Sequence, residues 1–458
     1  MRYTSAVLLG GAASVVSAGA FCSDAVQDLI GNFFCPGGVK QIKYDGLDIP
    51  GKYRAVASMD NSGLCTFEDR VYSGPIAPYD EGLSMHFRGP IHLNNVAVYT
   101  PGKGKRDAPK AAHLKRHGHQ HLHKKHHEQN EERAVGDVVT ATIDGQVVTW
   151  INTWAGPTAD PAADAAGAAA TDAPAYPVDS EPAKSPAGGN HQKAHVDKTP
   201  ITGDFVRSAY YDAASGTADG LVFLANVGSP GVSGTWDTVW GSSLAYVNGD
   251  GAGACASPEV LKDKLLDDTQ EIAIFSDAPC DGSCGATRPG AVAYSTSTPC
   301  ILDDKGFEGA SKVFVAEFTM PDSGKTGAGL NMPAYWLLNA AIPRTAQYAS
   351  CSCWKGDNQS PLEGGCGELD VVEILSSGDT RAKSTFHFAN GVGDSHYIDR
   401  PVGGPMKVAV VMDADSSTVS IKVLDAFDFP TSLTSEQVQD LVNDEKDVNL
   451  FSLISFLQ

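Results

Sequence analysis

The chain has 458 residues, with 55 Asp and Glu against 34 Lys and Arg, for a formal net charge of −21. So acidic a surface argues against nucleic acid and anionic membranes as partners, and the length leaves room for two or three domains. No stretch beyond the amino terminus approaches the ~20 consecutive apolar residues of a membrane span.

Arg2 precedes an apolar run from Ala6 to Val16, and small residues follow as far as Ala18 or Ala20. This pattern predicts a secretory signal peptide over 1–20 and hence a secreted protein. Ten cysteines in a secreted chain imply disulfides. Three lie early (Cys22, Cys35, Cys65) and seven late (Cys255, Cys280, Cys284, Cys300, Cys351, Cys353, Cys366). Both groups are odd, so either one bridge joins the halves or each half keeps a spare thiol. Cys280-x-x-x-Cys284 and Cys351-x-Cys353 have no matching His pair, so no metal or other cofactor is expected.

Residues 21–102 read as a small β-rich module associated with the wall. A short helix is expected over Asp24–Ile30, followed by strand-like runs broken by Gly, Pro and Asn, such as the one through Val96–Tyr99. Residues 103–135 are basic and His-rich, from Lys103 through His127, the composition of a solvated, disordered segment. Lys105-Arg106 and Lys115-Arg116 within it have the form of dibasic processing sites. Over 136–155, two β-branched runs flank Asp144-Gly145, which predicts a β-hairpin. Residues 156–200, rich in Ala, Pro, Asp and Gly, have little to bury and read as a linker.

The large domain covers 201–458. Its strand-like runs include Gly220–Asn226, Glu271–Phe275, Lys312–Met320, Ser384–Phe388, Lys407–Met412 and Ser420–Leu424, joined by Gly-rich loops. Many strands and few helices predict an all-β fold, a β-sandwich or jelly roll. Two helices are expected. One starts at Ser257-Pro258 and runs to Leu266, and one follows a capping box of Thr434 with Gln437 and runs to Val442.

The most informative stretch is Gly365-Cys-Gly-Glu-Leu-Asp-Val-Val-Glu-Ile-Leu375. Three carboxylates inside an apolar, β-branched run are costly unless paired or functional. Glu368 and Asp370, two residues apart, share a strand face; Glu373 joins them only if a β-bulge intervenes near Val371 and Val372. A carboxylate pair across a cleft is the equipment of a retaining glycosidase, with one acid as nucleophile and one as proton donor. The middle carboxylate can raise the donor's pKa by like charge.

Glu368-Leu-Asp-Val-Val-Glu373 resembles the bulged ExDxxE signature of glycoside hydrolase family 16. Val313–Pro321 and Asn331-Met-Pro-Ala-Tyr-Trp-Leu-Leu338 are similar to that family's segments upstream of the acids. Ser384–Phe388 resembles the following strand, which presents a His to the cleft. The whole layout is closer still to the fungal Tos-type cell-wall glucanases. The resemblance implies a concanavalin-like jelly roll acting on β-1,3-glucan of the cell wall as an endo-glucanase. It also implies roles: Glu368 nucleophile, Asp370 assisting carboxylate, Glu373 acid/base.

Candidate substrate contacts are Trp336, Tyr335, His387, Trp354 and Tyr397. Alternation sends one of Tyr335 and Trp336 inward, and Trp336 is favoured as the sugar platform. Each aromatic residue, Trp236 and Trp240 included, also has a packing reading, and His387 is equally readable as a satisfied strand histidine. Asn358-Gln-Ser360 is an N-glycosylation sequon. The protein is expected to be monomeric. A wall transglucosylase using the same acids and a non-catalytic glucan-binding wall protein are the alternatives.

Overall fold

The structure is a computed structural model. It describes residues 22, 24–28, 31–59, 65–102, 138–143, 146–151, 201, 203–229, 231–234, 236–237, 241–279, 305–342, 352–354, 365–387, 392–393 and 395–456.

The main strands, in chain order, begin with β1 (Gln41–Asp45), β2 (Gly51–Met59), β3 (Cys65–Tyr72), β4 (Leu83–Arg88) and β5 (Ile91–Pro101). After residue 200 come β6 (Phe205–Asp212), β7 (Thr217–Asp219), β8 (Leu221–Ala225), β9 (Ala245–Tyr246), β10 (Glu271–Ser276) and β11 (Lys312–Thr319). The series ends with β12 (Ala334–Asn339), β13 (Glu368–Glu373), β14 (Arg381–His387), β15 (Val392–Gly393), β16 (Met406–Asp413), β17 (Thr418–Leu424) and β18 (Phe451–Ser455).

These strands build two sheets. A back sheet has the order β7-β6-β5-β11-β16-β17-β1-β18, and a site sheet has the order β9-β8-β10-β4-β12-β13-β14-β15. All the ladders along these paths are antiparallel except β1 with β18, which is parallel. Alternate residues of both sheets point into one shared core. Leu83, Met85, Phe87, Tyr335 and Leu337 enter it from the site sheet; Val96, Val98, Phe314, Phe318, Val408 and Val410 enter it from the back sheet. Period-two burial on two facing sheets is the pattern of a β-sandwich, as expected.

One α-helix is present among the described residues, α1 (Ser435–Val442), and it starts at the expected capping box. Thr434 Oγ1 accepts from Gln437 N, and the Gln437 side chain accepts from Thr434 N. Its buried side chains, Val438, Leu441 and Val442, pack with Val313, Val315, Ala409 and Val411 on the outer face of the back sheet.

The β-rich amino-terminal stretch is also present, but it does not stand apart from the large domain. β1 lies between β17 and β18, β4 between β10 and β12, and β5 between β6 and β11. Interior strands satisfy backbone groups on both edges, so removing them would orphan ladders on their neighbours. The described residues up to 102 and from 201 onward accordingly form one compact unit. The second unit, Lys105–His195, contains the expected hairpin, with Val138–Ile143 paired to Gln146–Ile151.

Two expected helices are absent. Val26–Gln27 pairs with Phe33–Phe34 as a small hairpin, and the Cys22–Cys35 disulfide joins its flanks. The segment after Ser257 is extended: Lys262 N donates to Gly249 O, and Leu265 and Leu266 pair with His92 and Ile91. Its backbone donors are therefore spent on a loop and a strand rather than on a helix.

Cys353 is bonded to Cys366, Cys255 is free, and Cys65 is also disulfide-bonded. The expectations for the signal peptide, the dibasic sites, the linker, Trp240 and the Asn358 sequon lie outside the described residues.

Candidate active site

Strand β13 carries the acids, and its packing departs from strict alternation. Leu369, Val371, Val372 and Ile374 all enter the sandwich core, although Val371 and Val372 are adjacent. The register explains this. Across β12, Trp336 opposes Asp370 and Tyr335 opposes Val372, so Val371 is an extra residue. Across β14, Asp370 opposes Thr385 and Glu373 opposes Lys383. One inserted residue is a β-bulge, and it returns Glu373 to the face of Glu368 and Asp370.

The acids thus sit in three successive rows across the site sheet. Ser84, Leu338, Glu368 and His387 form one row. Ala273, His86, Trp336, Asp370 and Thr385 form the next. Glu271, Arg88, Ala334, Glu373 and Lys383 form the third.

The glycines ahead of Glu368 have a local reason. Gly367 has φ +108, and a Cβ there would lie 3.0 Å from the Tyr79 ring. A Cβ on Gly365 would come within 2.0 Å of Cys353 O, across the bridge that ties Cys366 to Cys353. Tyr79, wholly buried, fixes the start of the strand. Its hydroxyl accepts from Glu368 N at 3.1 Å and lies 2.7 Å from Glu368 O and 2.6 Å from His387 O. Burial, then the Glu368 charge, push its pKa well up, so the phenol remains a neutral donor.

Two cations meet the acids. His387 Nε2 lies 2.9 Å from Asp370 Oδ2. Burial alone would lower the imidazole pKa, but the hydrogen bond to Asp370 and the surrounding carboxylates raise it from 6.5 to about 9. At neutral pH it is an imidazolium paired with Asp370. Arg88 Nη2 lies 3.2 Å from Glu373 Oε1. Burial and the Asp370 charge raise Glu373 from 4.5 to about 7, against the pull of Arg88. The arrangement therefore contains a carboxyl group that keeps its proton near neutrality beside carboxylates on the same face.

Ser84, His86 and Glu271 resemble a nucleophile triad, with Ser84 Oγ 2.8 Å from His86 Nε2 and His86 Nδ1 3.6 Å from Glu271 Oε1. Ser84 is closed to solvent and its hydroxyl donates to Leu338 O, so it cannot reach a substrate. His86 instead stacks on Trp336, with ring centroids 5.2 Å apart.

The expected substrate contacts divide. Tyr335 is inside the sandwich, fully buried and stacked on Phe87 at 4.7 Å, which removes it as a ligand contact. Trp336 lies on the face of the acids, as alternation requires, but is only 4% exposed, so it is packing rather than an open platform. His387 is on the site face and 21% exposed. Trp354, half-buried, lies 6.2 Å from the His387 ring. Tyr397 packs edge-on against Phe34, which also lies under Arg381 and Lys383, toward the Glu373 end of β14. Trp236 lies outside the site sheet, exposed, on a two-stranded pair with Gly241–Ser242.

Sequence reasoning missed Tyr79, His86 and Arg88, all from the amino-terminal stretch. The available signal was the alternation of Leu83-Ser84-Met85-His86-Phe87-Arg88, which places three polar side chains on one strand face. Among the described residues, no group of three or more His, Cys, Asp or Glu is placed to hold a metal ion. No helix among them is long and apolar enough to cross a membrane.

Two family models match the chain: cell wall protein YJL171C/Tos1, C-terminal, over residues 203–441, and its N-terminal counterpart over residues 40–101. A protein of Arthroderma benhamiae named probable circularly permuted 1,3-beta-glucanase is 39% identical, covering 98% of each chain. The proteins named probable circularly permuted 1,3-beta-glucanase TOS1 are also similar. That of Candida albicans is 34% identical over 96% of this chain and 97% of its own. That of Saccharomyces cerevisiae is 33% identical over 87% and 89%. No solved structure matches. With both family models matched in order and relatives aligned over nearly their full length, the chain belongs to the Tos1 family of fungal cell wall proteins.

Proposed function

We propose that this protein is a secreted cell-wall endo-β-1,3-glucanase that hydrolyses its substrate with retention of configuration. The observation that carries the reading is the bulge in β13, which gathers Glu368, Asp370 and Glu373 on one face of the site sheet. The printed names of the relatives support β-1,3-glucan as the substrate class. Those names also call the relatives circularly permuted. An amino-terminal segment that completes both sheets, with β1 beside β18, fits the same chain order here.

In this reading Glu373 enters the cycle protonated. It gives its proton to the glycosidic oxygen as Glu368 attacks the anomeric carbon, so the sugar leaves joined to Glu368. Water then displaces Glu368 from that carbon and gives its proton to Glu373. Burial and the Asp370 carboxylate between the two glutamates favour the protonated form of Glu373 before attack, and the His387 and Arg88 cations oppose them.

The test is the purified full-length protein on soluble β-1,3-glucan, beside Glu368→Gln and Glu373→Gln. The wild type should release short oligosaccharides, and both variants should lose nearly all of that activity. Undiminished cleavage by either variant would overturn the assignment. Products longer than the substrate would identify a transglucosylase using the same acids.

A further inference from the structure

Glu373 lies in a row of alternating charge, and a residue far from it in sequence holds it there. From β10 to β14 the row reads Glu271, Arg88, Ala334, Glu373, Lys383. Ala334, on the intervening strand, offers only a methyl group, and Arg88 reaches across it to Glu373. The guanidinium is fixed at two further points. Its Nε donates to Met332 O at 3.0 Å, and its Cζ lies 5.8 Å from the centroid of the Trp336 ring.

The other charged groups around Glu373 are engaged elsewhere or repel it. Lys383 Nζ donates to Phe33 O and lies 4.4 Å from the Phe34 ring centroid. His387 is bonded to Asp370. Asp370 and Glu368 share its strand, and Glu271 faces Arg88 from the far side of the row.

We propose that Arg88 is a positioning residue for Glu373, which holds the carboxyl group on the face it shares with Glu368 and Asp370 and stabilises the carboxylate left after proton donation. The inference rests on the glycosidase reading above and adds a role for the amino-terminal segment within it. In the first step the proton leaves Glu373 for the glycosidic oxygen while the bond from Glu368 to the anomeric carbon forms. The resulting carboxylate then waits beside Asp370 until water, attacking the same carbon, supplies a proton as the Glu368 bond breaks. A cation in contact with Glu373 stabilises that intermediate charge; without it, burial and Asp370 are opposed by the charge of His387 alone, which is bonded to Asp370.

The experiment is the pH profile of kcat/KM on soluble β-1,3-glucan for the full-length wild type, Arg88→Met and Arg88→Lys. The alkaline limb reports loss of the proton from the free enzyme's acid. Removing a cation in contact with a carboxylate should move that limb up by about 1–2 pH units in Arg88→Met. Arg88→Lys, which keeps the charge but loses the fork, should fall between. A role in folding alone would lower expression or Tm and leave the limb in place. Limbs in both variants within about 0.2 pH units of the wild type, at measurable activity, would overturn the proposal. If Arg88→Met does not fold, the limb of Arg88→Lys decides. Failure of the glycosidase reading looks different: the wild type cleaves nothing, or Glu373→Gln stays active.

Discussion

Replacing Glu373 with Gln should change the stability of the protein in a pH-dependent way. In the folded state, burial and the Asp370 charge raise the Glu373 pKa from 4.5 to about 7. Between those values the folded state binds the proton more firmly than the unfolded chain does. Wild-type stability should therefore fall as pH rises through this window and level off above it. At ~1.4 kcal/mol per pKa unit, the shift amounts to about 3 kcal/mol. The side chain is 21% exposed, so most of that figure applies. Gln carries no such proton. The variant should match the wild type near pH 4 and exceed its stability by up to about 3 kcal/mol at pH 8, several degrees in Tm. Urea or thermal unfolding at pH 4, 6 and 8 measures this. A difference between the two proteins that stays constant across that range would refute the electrostatic account of the site.

His387 gives the complementary result. Burial opposes its protonation, but Asp370 raises its pKa from 6.5 to about 9, so its contribution is complete below pH 6.5 and lost as pH rises through 9. His387→Asn should cost up to about 3 kcal/mol at pH 6 and little at pH 10 in the same unfolding assay. Gly367→Ala should destabilise the protein by about 1–3 kcal/mol, because it places a side chain at positive φ against Tyr79, and it should lower activity with Tm. A fragment of residues 201–458 lacks β1, β4 and β5 and should show no cooperative thermal transition. Co-expression with residues 21–104 should restore that transition and co-purify the two pieces.

Much of the site was legible because it is local. The Glu368–Glu373 spacing implied the bulge, since three acids two and three residues apart share a strand face only if one residue is extra. Thr434 and Gln437 marked the start of α1 for the same reason: a capping box closes within four residues. What escaped depends on distant pairing. Nothing near Leu83–Arg88 says that β4 lies between β10 and β12, so Arg88 and His86 could not be placed beside Glu373 and Trp336. The amino-terminal stretch read as a separate module because turn signals give strand lengths but not partners. Alternation placed Trp336 on the correct face, yet could not show that His86 would cover its ring. The segment after Ser257 had a helix-start signal, and tertiary pairing with β5 outweighed it.

The central claim is that Glu368 attacks the sugar while Glu373 supplies and recovers the proton. A 2-deoxy-2-fluoro β-glucoside of a β-1,3-linked disaccharide, bearing a good leaving group, should trap the covalent intermediate. Intact mass should rise by one fluorinated disaccharide unit per molecule, and the label should map to Glu368 in the peptide spanning Gly365–Leu375. A label on any other residue, or continued turnover of β-1,3-glucan with an α-configured first product and no trapped species, would contradict the account.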